Sequence, residues 1–293
     1  VCNENGYWFE YYSDKYGFNN SDEIYNKKID ILLVGDSFIE GQCVKNENTI
    51  SKILQNNNLN VMNLGKGGNG PLIQYASVKE YGTHFKPNIV LWFYVYGDII
   101  ALNYAKNHIL LNKYFEDSNF SQDLIYKQDL IDKILINYFN KELLLKKPNH
   151  NESFNKLLLN EISNIIKLSK IRKTLNLVAK PKDLILPDVN NFISVLTNTQ
   201  KIINDWEGKL IFVYLPSYSE IREERFLNYN KEILSLISHL KIPTIDIYET
   251  VFKNHKDPLA LFPKRSPGHY NEKGYELTTD AIIEFLNKNF YIE

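Results

Sequence analysis

Short apolar runs alternate along the chain with longer amphipathic stretches. The runs at 29–34, 60–64, 88–96, 209–215 and 242–247 are rich in Ile, Leu and Val, and most are followed by glycine or proline. Continuous apolar runs of this length are typical of strands that are buried on both faces of a sheet. The pattern therefore predicts five buried strands.

The amphipathic stretches between these runs predict helices. They cover 50–56, 72–81, 219–240 and 272–288. Strands that alternate with helices form a parallel sheet covered on both faces, with right-handed crossovers. We therefore expect an α/β fold of three α/β/α layers, flavodoxin-like, with about five parallel strands in the order 2-1-3-4-5 and a long helical insertion.

The length predicts a single domain over 1–293 with two additions. Residues 1–28 lack clear periodicity and are interpreted as an ordered arm that packs on the sheet. Residues 103–200 are too long for an ordinary loop between two strands. Helical patches near 122–146 and 152–178 indicate a helical insertion there, which caps the site or serves a partner.

Charge and hydropathy argue against nucleic-acid binding and against a segment that spans a membrane. Lys and Arg number 34 against 35 for Asp and Glu, a balance that argues against a nucleic-acid groove. No apolar run approaches the length that spans a bilayer. The chain begins at Val1, which favours a processed form from which a signal or membrane anchor has been removed. An extracytoplasmic location is slightly favoured, and the oligomeric state is left open.

The two cysteines, Cys2 and Cys43, are too few for a disulfide framework. Two free thiols are the favoured interpretation, with a single bridge as the alternative. Cys43 falls in the predicted first helix and is expected to be a small, partly buried residue. Neither cysteine has partners at the spacing of a zinc site.

The first strand ends in a polar turn, Gly35-Asp36-Ser37, followed by Phe38-Ile39-Glu40-Gly41. Asp36 shapes this turn, and Asp36 or Ser37 caps a helix that begins near Phe38. Main-chain amides at the start of that helix favour negative charge beside Ser37. This is a suitable position for a nucleophile whose reaction develops an oxyanion.

This turn resembles the first signature block of the GDSL, or SGNH, hydrolases. Weaker matches follow in order at 63–68, 95–99 and 267–275, where Pro267-Gly268-His269 opens the last block. The resemblance covers about 14–102 and 209–290. It implies an acyl-enzyme on Ser37, with His269 as general base and then acid, and it implies no metal and no cofactor. The other histidines are interpreted as surface or packing residues.

The same resemblance implies an oxyanion hole. Its expected donors are the amides of Ser37 and Gly68, although Gly67 and Gly68 are not separated by the pattern. The family's Asn donor is absent, because Gly97 stands at its position. A main-chain amide there, or Asn103 from the next turn, is the expected replacement.

The carboxylate that usually orients the histidine is also absent. The two positions that carry it in the family hold Pro267 and Ser266. Asp257 upstream, Ser266 or a main-chain carbonyl is the expected support for the imidazole, and Asp98 is interpreted as a cap beside the site. Arg265 has two interpretations, a contact to an acidic substrate group and a solvated surface cation.

These features favour a serine hydrolase that cleaves O-acetyl or other short acyl esters, with a small molecule or a glycan as substrate. One alternative is an O-acyltransferase that modifies a cell-envelope polysaccharide. Another is an inactive glycan-binding or assembly protein on an eroded hydrolase scaffold. A nucleotide- or flavin-binding domain is a weaker alternative, since the glycines at 65–70 lack both the Walker ending and dinucleotide spacing.

Overall fold

The computed structural model describes residues 2–145, 189–223 and 225–290. The chain divides into two compact units, one formed by 1–126 with 187–293 and the other by 127–186. In the second unit the described element is the helix Gln128–Leu145, which overlaps the predicted patch at 122–146. The predicted patch at 152–178 lies outside the described residues.

A five-stranded parallel sheet forms the centre of the first unit. Its order is β2-β1-β3-β4-β5, as the alternation of strands and helices predicts. The strands are β1 (Ile31–Val34), β2 (Val61–Asn63), β3 (Ile89–Val95), β4 (Lys209–Leu215) and β5 (Thr244–Asp246). β1 pairs with β2 on one side and with β3 on the other. The connections before and after β2 therefore run in opposite directions across the sheet, and the end of β1 lies at this switch point. Ligands bind at such a switch point in open α/β sheets.

Helices cover or overlap the four amphipathic segments predicted between the strands, and further helices lie outside those segments. The helices are α1 (Ser37–Glu40), α2 (Ile50–Asn56), α3 (Pro71–Ser77), α4 (Thr83–Phe85), α5 (Asp98–Lys106), α6 (Ile109–Glu116), α7 (Gln128–Leu145), α8 (Val189–Asp205), α9 (Tyr218–Arg222), α10 (Arg225–His239) and α11 (Glu272–Phe290). The single helix predicted over 219–240 is wrong, because Glu223 is extended and separates α9 from α10. None of these described helices has both the length and the apolar character that a bilayer span requires.

Two hydrophobic layers cover the two faces of the sheet. In β1, Leu32 and Val34 face one layer, while Ile31 and Leu33 face the other. All four side chains are fully buried, which explains why the strand is a continuous apolar run. Each layer therefore packs a separate set of helices, and the polar residues that end each strand emerge together at one edge.

The N-terminal arm is joined to the loop after α1 by a disulfide between Cys2 and Cys43. Their Cα atoms lie 5.1 Å apart across a sequence separation of 41. The prediction of two free thiols is wrong. Two cysteines are too few to indicate a framework from their number, and the arm carries no periodicity that would place Cys2 beside Cys43.

Candidate active site

The turn after β1 presents Ser37 at the carboxyl end of the sheet. A Cβ on Gly35 would lie 2.4 Å from Cγ1 of Ile39, so only glycine lets the chain turn this sharply into α1. Asp36 caps the helix, because its Oδ1 accepts a hydrogen bond of 2.9 Å from the Phe38 N–H. Ser37 is the first residue of α1, and its side chain is half-buried.

His269 is held on a loop just before α11. Asn271 fixes this loop, since its Nδ2 donates to the Ala260 carbonyl at 2.7 Å and its Oδ1 accepts from the Gly274 N–H at 3.0 Å. The imidazole packs against the Phe38 ring, with 4.8 Å between ring centroids. Its side chain is 16% exposed, so its orientation is set by packing on α1.

The Ser37 hydroxyl and the His269 imidazole are in direct contact. Ser37 Oγ lies 2.7 Å from His269 Nε2, within the range of a strong O–H···N hydrogen bond. In this geometry the Ser37 hydroxyl donates to an unprotonated Nε2, which leaves the proton on Nδ1. A hydroxyl bonded to a basic nitrogen at the mouth of a parallel sheet is the arrangement of an activated nucleophile.

A carboxylate from the N-terminal arm faces the other side of the imidazole. Glu4 Oε1 and Oε2 lie 3.3 and 3.2 Å from His269 Nδ1. Glu4 Oε2 also accepts a hydrogen bond of 2.7 Å from the His269 main-chain N–H. Sequence reasoning missed Glu4, because the arm has no motif around it. The only signal in the sequence is its neighbour Cys2, which pairs with a cysteine six residues after Ser37.

The two side chains predicted to support the imidazole, Asp257 and Ser266, lie elsewhere. Asp257 forms an ion pair with Arg265, whose guanidinium is thus not an unpaired surface cation. Ser266 is exposed and donates from its hydroxyl to the Lys264 carbonyl at 3.2 Å. Both His269 ring nitrogens have partners, and neither Asp257 nor Ser266 is among them.

Asp98 is buried and accepts a hydrogen bond of 3.1 Å from the Val95 N–H. Burial, and then the charge of nearby Asp36, raise the pKa of Asp98 well above its usual range. Burial also raises the pKa of Asp36, while the Phe38 N–H and the His269 imidazole act in the opposite direction. Through its bond to the last residue of β3, Asp98 caps the end of that strand, and it is not among the partners of the His269 ring nitrogens.

The glycine-rich loop after β2 packs on α1. A Cβ on Gly65 would lie 2.5 Å from the Glu40 main-chain nitrogen, so a glycine is required there. Glu40 Oε2 accepts from the Gly67 N–H at 2.7 Å, and Glu40 Oε1 pairs with Lys66 at 2.7 Å. Burial opposes the charge on Glu40, but the hydrogen bonds from Lys66 and Tyr11 hold its pKa below the usual value. The Gly67 N–H, which a phosphate would need as a donor, is already bonded to the Glu40 carboxylate. This argues against a nucleotide site.

The remaining oxyanion candidates differ in what surrounds them. Gly68 has φ +82° and open space around its Cβ position. Gly97 also faces open space and precedes α5 with φ −69° and ψ −17°. Asn103 lies in α5, and its side chain is outside the described part of the structure.

The residues around His269 include a set of potential metal ligands. Cys2, Glu4, Cys43 and His269 each place one ligand atom within 4.8 Å of the others. Thiolate sulfur is the form that binds zinc, and here both sulfurs are joined in the disulfide. The oxidised site therefore lacks the soft ligands of a metal centre.

Comparisons with solved structures find proteins of similar fold. A member of the lipolytic protein G-D-S-L family from Veillonella parvula is 12% identical, with 90% of this chain and 100% of that chain covered and a TM-score of 0.48. A lipase/acylhydrolase from Enterococcus faecalis is 13% identical, with coverage of 89% and 96% and a TM-score of 0.49. A family 3 carbohydrate esterase from Clostridium thermocellum is 11% identical, with coverage of 89% and 96% and a TM-score of 0.45.

No family model matches the sequence, and no curated protein matches it. A lipolytic protein of the G-D-S-L family is among the solved structures similar to this chain.

Proposed function

We propose that this protein is a serine ester hydrolase that forms an acyl-enzyme on Ser37. The observation that carries the proposal is the 2.7 Å contact between Ser37 Oγ and His269 Nε2. The two residues belong to opposite ends of the chain, and each stands in the motif position where a nucleophile and its base are expected. The contact also argues against an eroded, inactive scaffold, which has no reason to retain it.

The reaction proceeds in two halves. Ser37 Oγ attacks the ester carbonyl carbon while His269 Nε2 takes the hydroxyl proton. The bond from that carbon to the alcohol oxygen then breaks, and His269 returns the proton to the departing alcohol. Water attacks the acyl-Ser37 ester and gives a proton to His269. The carboxylic acid leaves as Ser37 Oγ recovers its proton.

The main-chain amides of Ser37 and Gly68 are the proposed donors to the oxyanion. Within the described residues neither amide donates to a protein acceptor, whereas the Gly67 N–H is bonded to Glu40. Gly68 is therefore favoured over Gly67. Gly97 supplies no side-chain amide, so the side-chain donor of the family pattern is absent at that position. One such donor is worth about 10²- to 10³-fold in kcat.

A carbohydrate ester is the proposed substrate class. Trp8 and Tyr12 on the arm are 66% and 97% exposed, although large aromatic side chains bury readily. Tyr12 also lines a cavity, together with Tyr11 and amide side chains such as Asn19 and Gln55. Aromatic faces pack against the C–H face of a sugar ring, and amides bond its hydroxyls. We propose short acyl groups on such a polymer as the ester, and we leave Arg265 out of the mechanism because Asp257 neutralises it.

The direct test is hydrolysis of p-nitrophenyl acetate by the purified protein. Ser37→Ala and His269→Ala are expected to abolish hydrolysis above the uncatalysed rate. Ser238→Ala and His239→Ala are matched controls, because both residues are exposed on α10 and neither belongs to the proposed site. Hydrolysis that survives unchanged in Ser37→Ala would overturn the proposed function. Adding a sugar acceptor shows whether acyl transfer to a hydroxyl competes with attack by water.

A further inference from the structure

We propose that Glu4 is the positioning residue of His269, and that the Cys2–Cys43 disulfide makes this triad conditional on oxidation of the two cysteines. The inference rests on the proposed function and deepens it by adding its third residue and a means of control. Glu4 and His269 are 265 positions apart, and the arm delivers the carboxylate that the motif before His269 lacks.

The contacts of Glu4 are those that orient an imidazole. Its carboxylate bonds the His269 main-chain N–H and faces Nδ1, so one group fixes both the loop and the ring. A carboxylate at Nδ1 selects the tautomer whose Nε2 accepts from Ser37 and stabilises the imidazolium that forms during attack. Among the described residues, Glu4 is the carboxylate within hydrogen-bond distance of this ring. The disulfide sulfur of Cys43, 3.2 Å from Nδ1, is a weak acceptor.

The loop before His269 has room for this carboxylate because residue 268 is glycine. A Cβ on Gly268 would lie 2.4 and 2.7 Å from Glu4 Oε2 and Cδ. The main chain of Gly268 is not in the left-handed region, so an alanine is compatible with its backbone. An added methyl group would therefore displace the Glu4 carboxylate while leaving Glu4, both cysteines and the fold in place.

The disulfide is the closest covalent anchor of Glu4. Cys2 precedes Glu4 by two residues, and Asn5 Nδ2 donates to the Cys43 carbonyl at 2.8 Å. Cys43 has φ +72°, a left-handed conformation that is unfavourable for a residue other than glycine. Breaking the bridge frees Cys43 to relax and releases the first residues of the arm. Further along the arm, Tyr11 donates to Glu40 at 2.6 Å, so the release stays local.

Reduction can be carried out with a phosphine. The S–S bond accepts two electrons from phosphorus, each sulfur gains a proton from water, and the water oxygen leaves as phosphine oxide. The products are two thiols, and the carboxylate of Glu4 loses its nearest covalent anchor. A chelator in the buffer prevents the new thiolates from binding trace metal together with Glu4 and His269.

The test compares Glu4→Gln, Glu4→Asp, Glu4→Ala and Gly268→Ala with the wild-type enzyme. Glu23→Gln is the matched exposed control from the N-terminal segment. We expect Glu4→Gln to lower kcat by about 10²- to 10⁴-fold with little change in KM. Glu4→Asp should recover part of the loss, and added formate should partly rescue Glu4→Ala. A residue with a structural role alone would show neither form of recovery.

The link to the disulfide is tested by a double-mutant cycle. Replacing both cysteines by serine, or reducing the wild-type enzyme, should lower kcat, at most to the level of Glu4→Gln. An unchanged kcat after either treatment would overturn the link. The same treatment of Glu4→Gln should add nothing further, since both changes remove one interaction. Losses that multiply would overturn the link. If Glu4→Gln and Gly268→Ala both keep full kcat while Ser37→Ala is inactive, the role of Glu4 is overturned and the proposed function stands. An active Ser37→Ala would instead overturn the proposed function.

Discussion

Ser37 Oγ and His269 Nε2 lie 2.7 Å apart although 232 positions separate the two residues along the chain. The parallel sheet explains this proximity, because the turn after β1 and the loop before α11 meet at the same edge. Phe38 connects them further, since its ring packs on both His269 and Tyr270. The contact is therefore a consequence of the fold.

Restoring the missing amide donor should raise activity. Gly97 has φ −69° and ψ −17°, which asparagine adopts without strain, and its Cβ position faces open space. We expect Gly97→Asn to raise kcat for p-nitrophenyl acetate, by up to about 10²-fold. Gly97→Asp is the control, because it has the same shape without the N–H donor. Equal rates for the two variants would contradict an oxyanion hole at this position.

The disulfide should also stabilise the folded chain. A bridge across 41 residues restricts the unfolded chain, and the loop-entropy estimate for this length is about 4 kcal/mol. The variant with Cys2→Ser and Cys43→Ser should lose about 2–4 kcal/mol in the free energy of unfolding, measured with urea. An unchanged midpoint on reduction of the wild-type protein would show that the bridge has no such effect.

Glu80 should make stability depend on acid pH. This buried carboxylate accepts main-chain hydrogen bonds of 2.7 Å from Gln122 and 2.8 Å from Leu124. Burial alone would raise the pKa of Glu80, but these bonds and one from Tyr114 hold it below its usual value. Because the folded pKa is depressed, the contribution is complete above the unfolded value and disappears as pH falls through the folded pKa.

Glu80→Gln should therefore lower the free energy of unfolding at neutral pH, by about 1–3 kcal/mol. The difference from wild type should shrink as the pH is lowered into the acid range. Urea denaturation at a series of pH values measures both quantities. Glu116→Gln is the control, since Glu116 is an exposed glutamate on α6. A difference that stays constant down to acid pH would contradict the argument.

The exposed aromatics of the arm should affect polymeric substrates only. Trp8→Ala and Tyr12→Ala are expected to raise KM for an O-acetylated polysaccharide and to leave kcat/KM for p-nitrophenyl acetate unchanged. Tyr126→Ala removes a similarly exposed tyrosine, 76% accessible, from a different surface and serves as the control. Equal KM values for the polymer in all three variants and the wild type would rule out the arm as its binding surface.

Local pattern was sufficient to predict the sheet. Each strand can be recognised from its own sequence, because a strand buried on both faces needs a continuous run of apolar residues. β3, in which all seven residues are buried, is an example. The break between α9 and α10 was missed, because the amphipathic pattern continues through Glu223. The strand order followed from alternation with helices and the usual handedness of crossovers.

The third member of the candidate site could not be predicted in this way. Glu4 acts across 265 positions from an arm without periodicity, and its place depends on a disulfide whose partner also lies outside any strand. Ser37 and His269 could be predicted because each directly adjoins a regular element that fixes its position. Asp257 was closer in sequence to His269 than Glu4, but its charge is taken by Arg265.

Labelling the nucleophile with a probe that forms a phosphonyl ester on an activated serine, with loss of fluoride, tests the central claim most directly. The protein is treated with a fluorophosphonate probe, digested, and the modified residue is located by tandem mass spectrometry. We predict a single label on Ser37, its absence in Ser37→Ala, and much slower labelling in His269→Ala with the fold intact. A folded, active enzyme that carries no label on Ser37 would contradict the account.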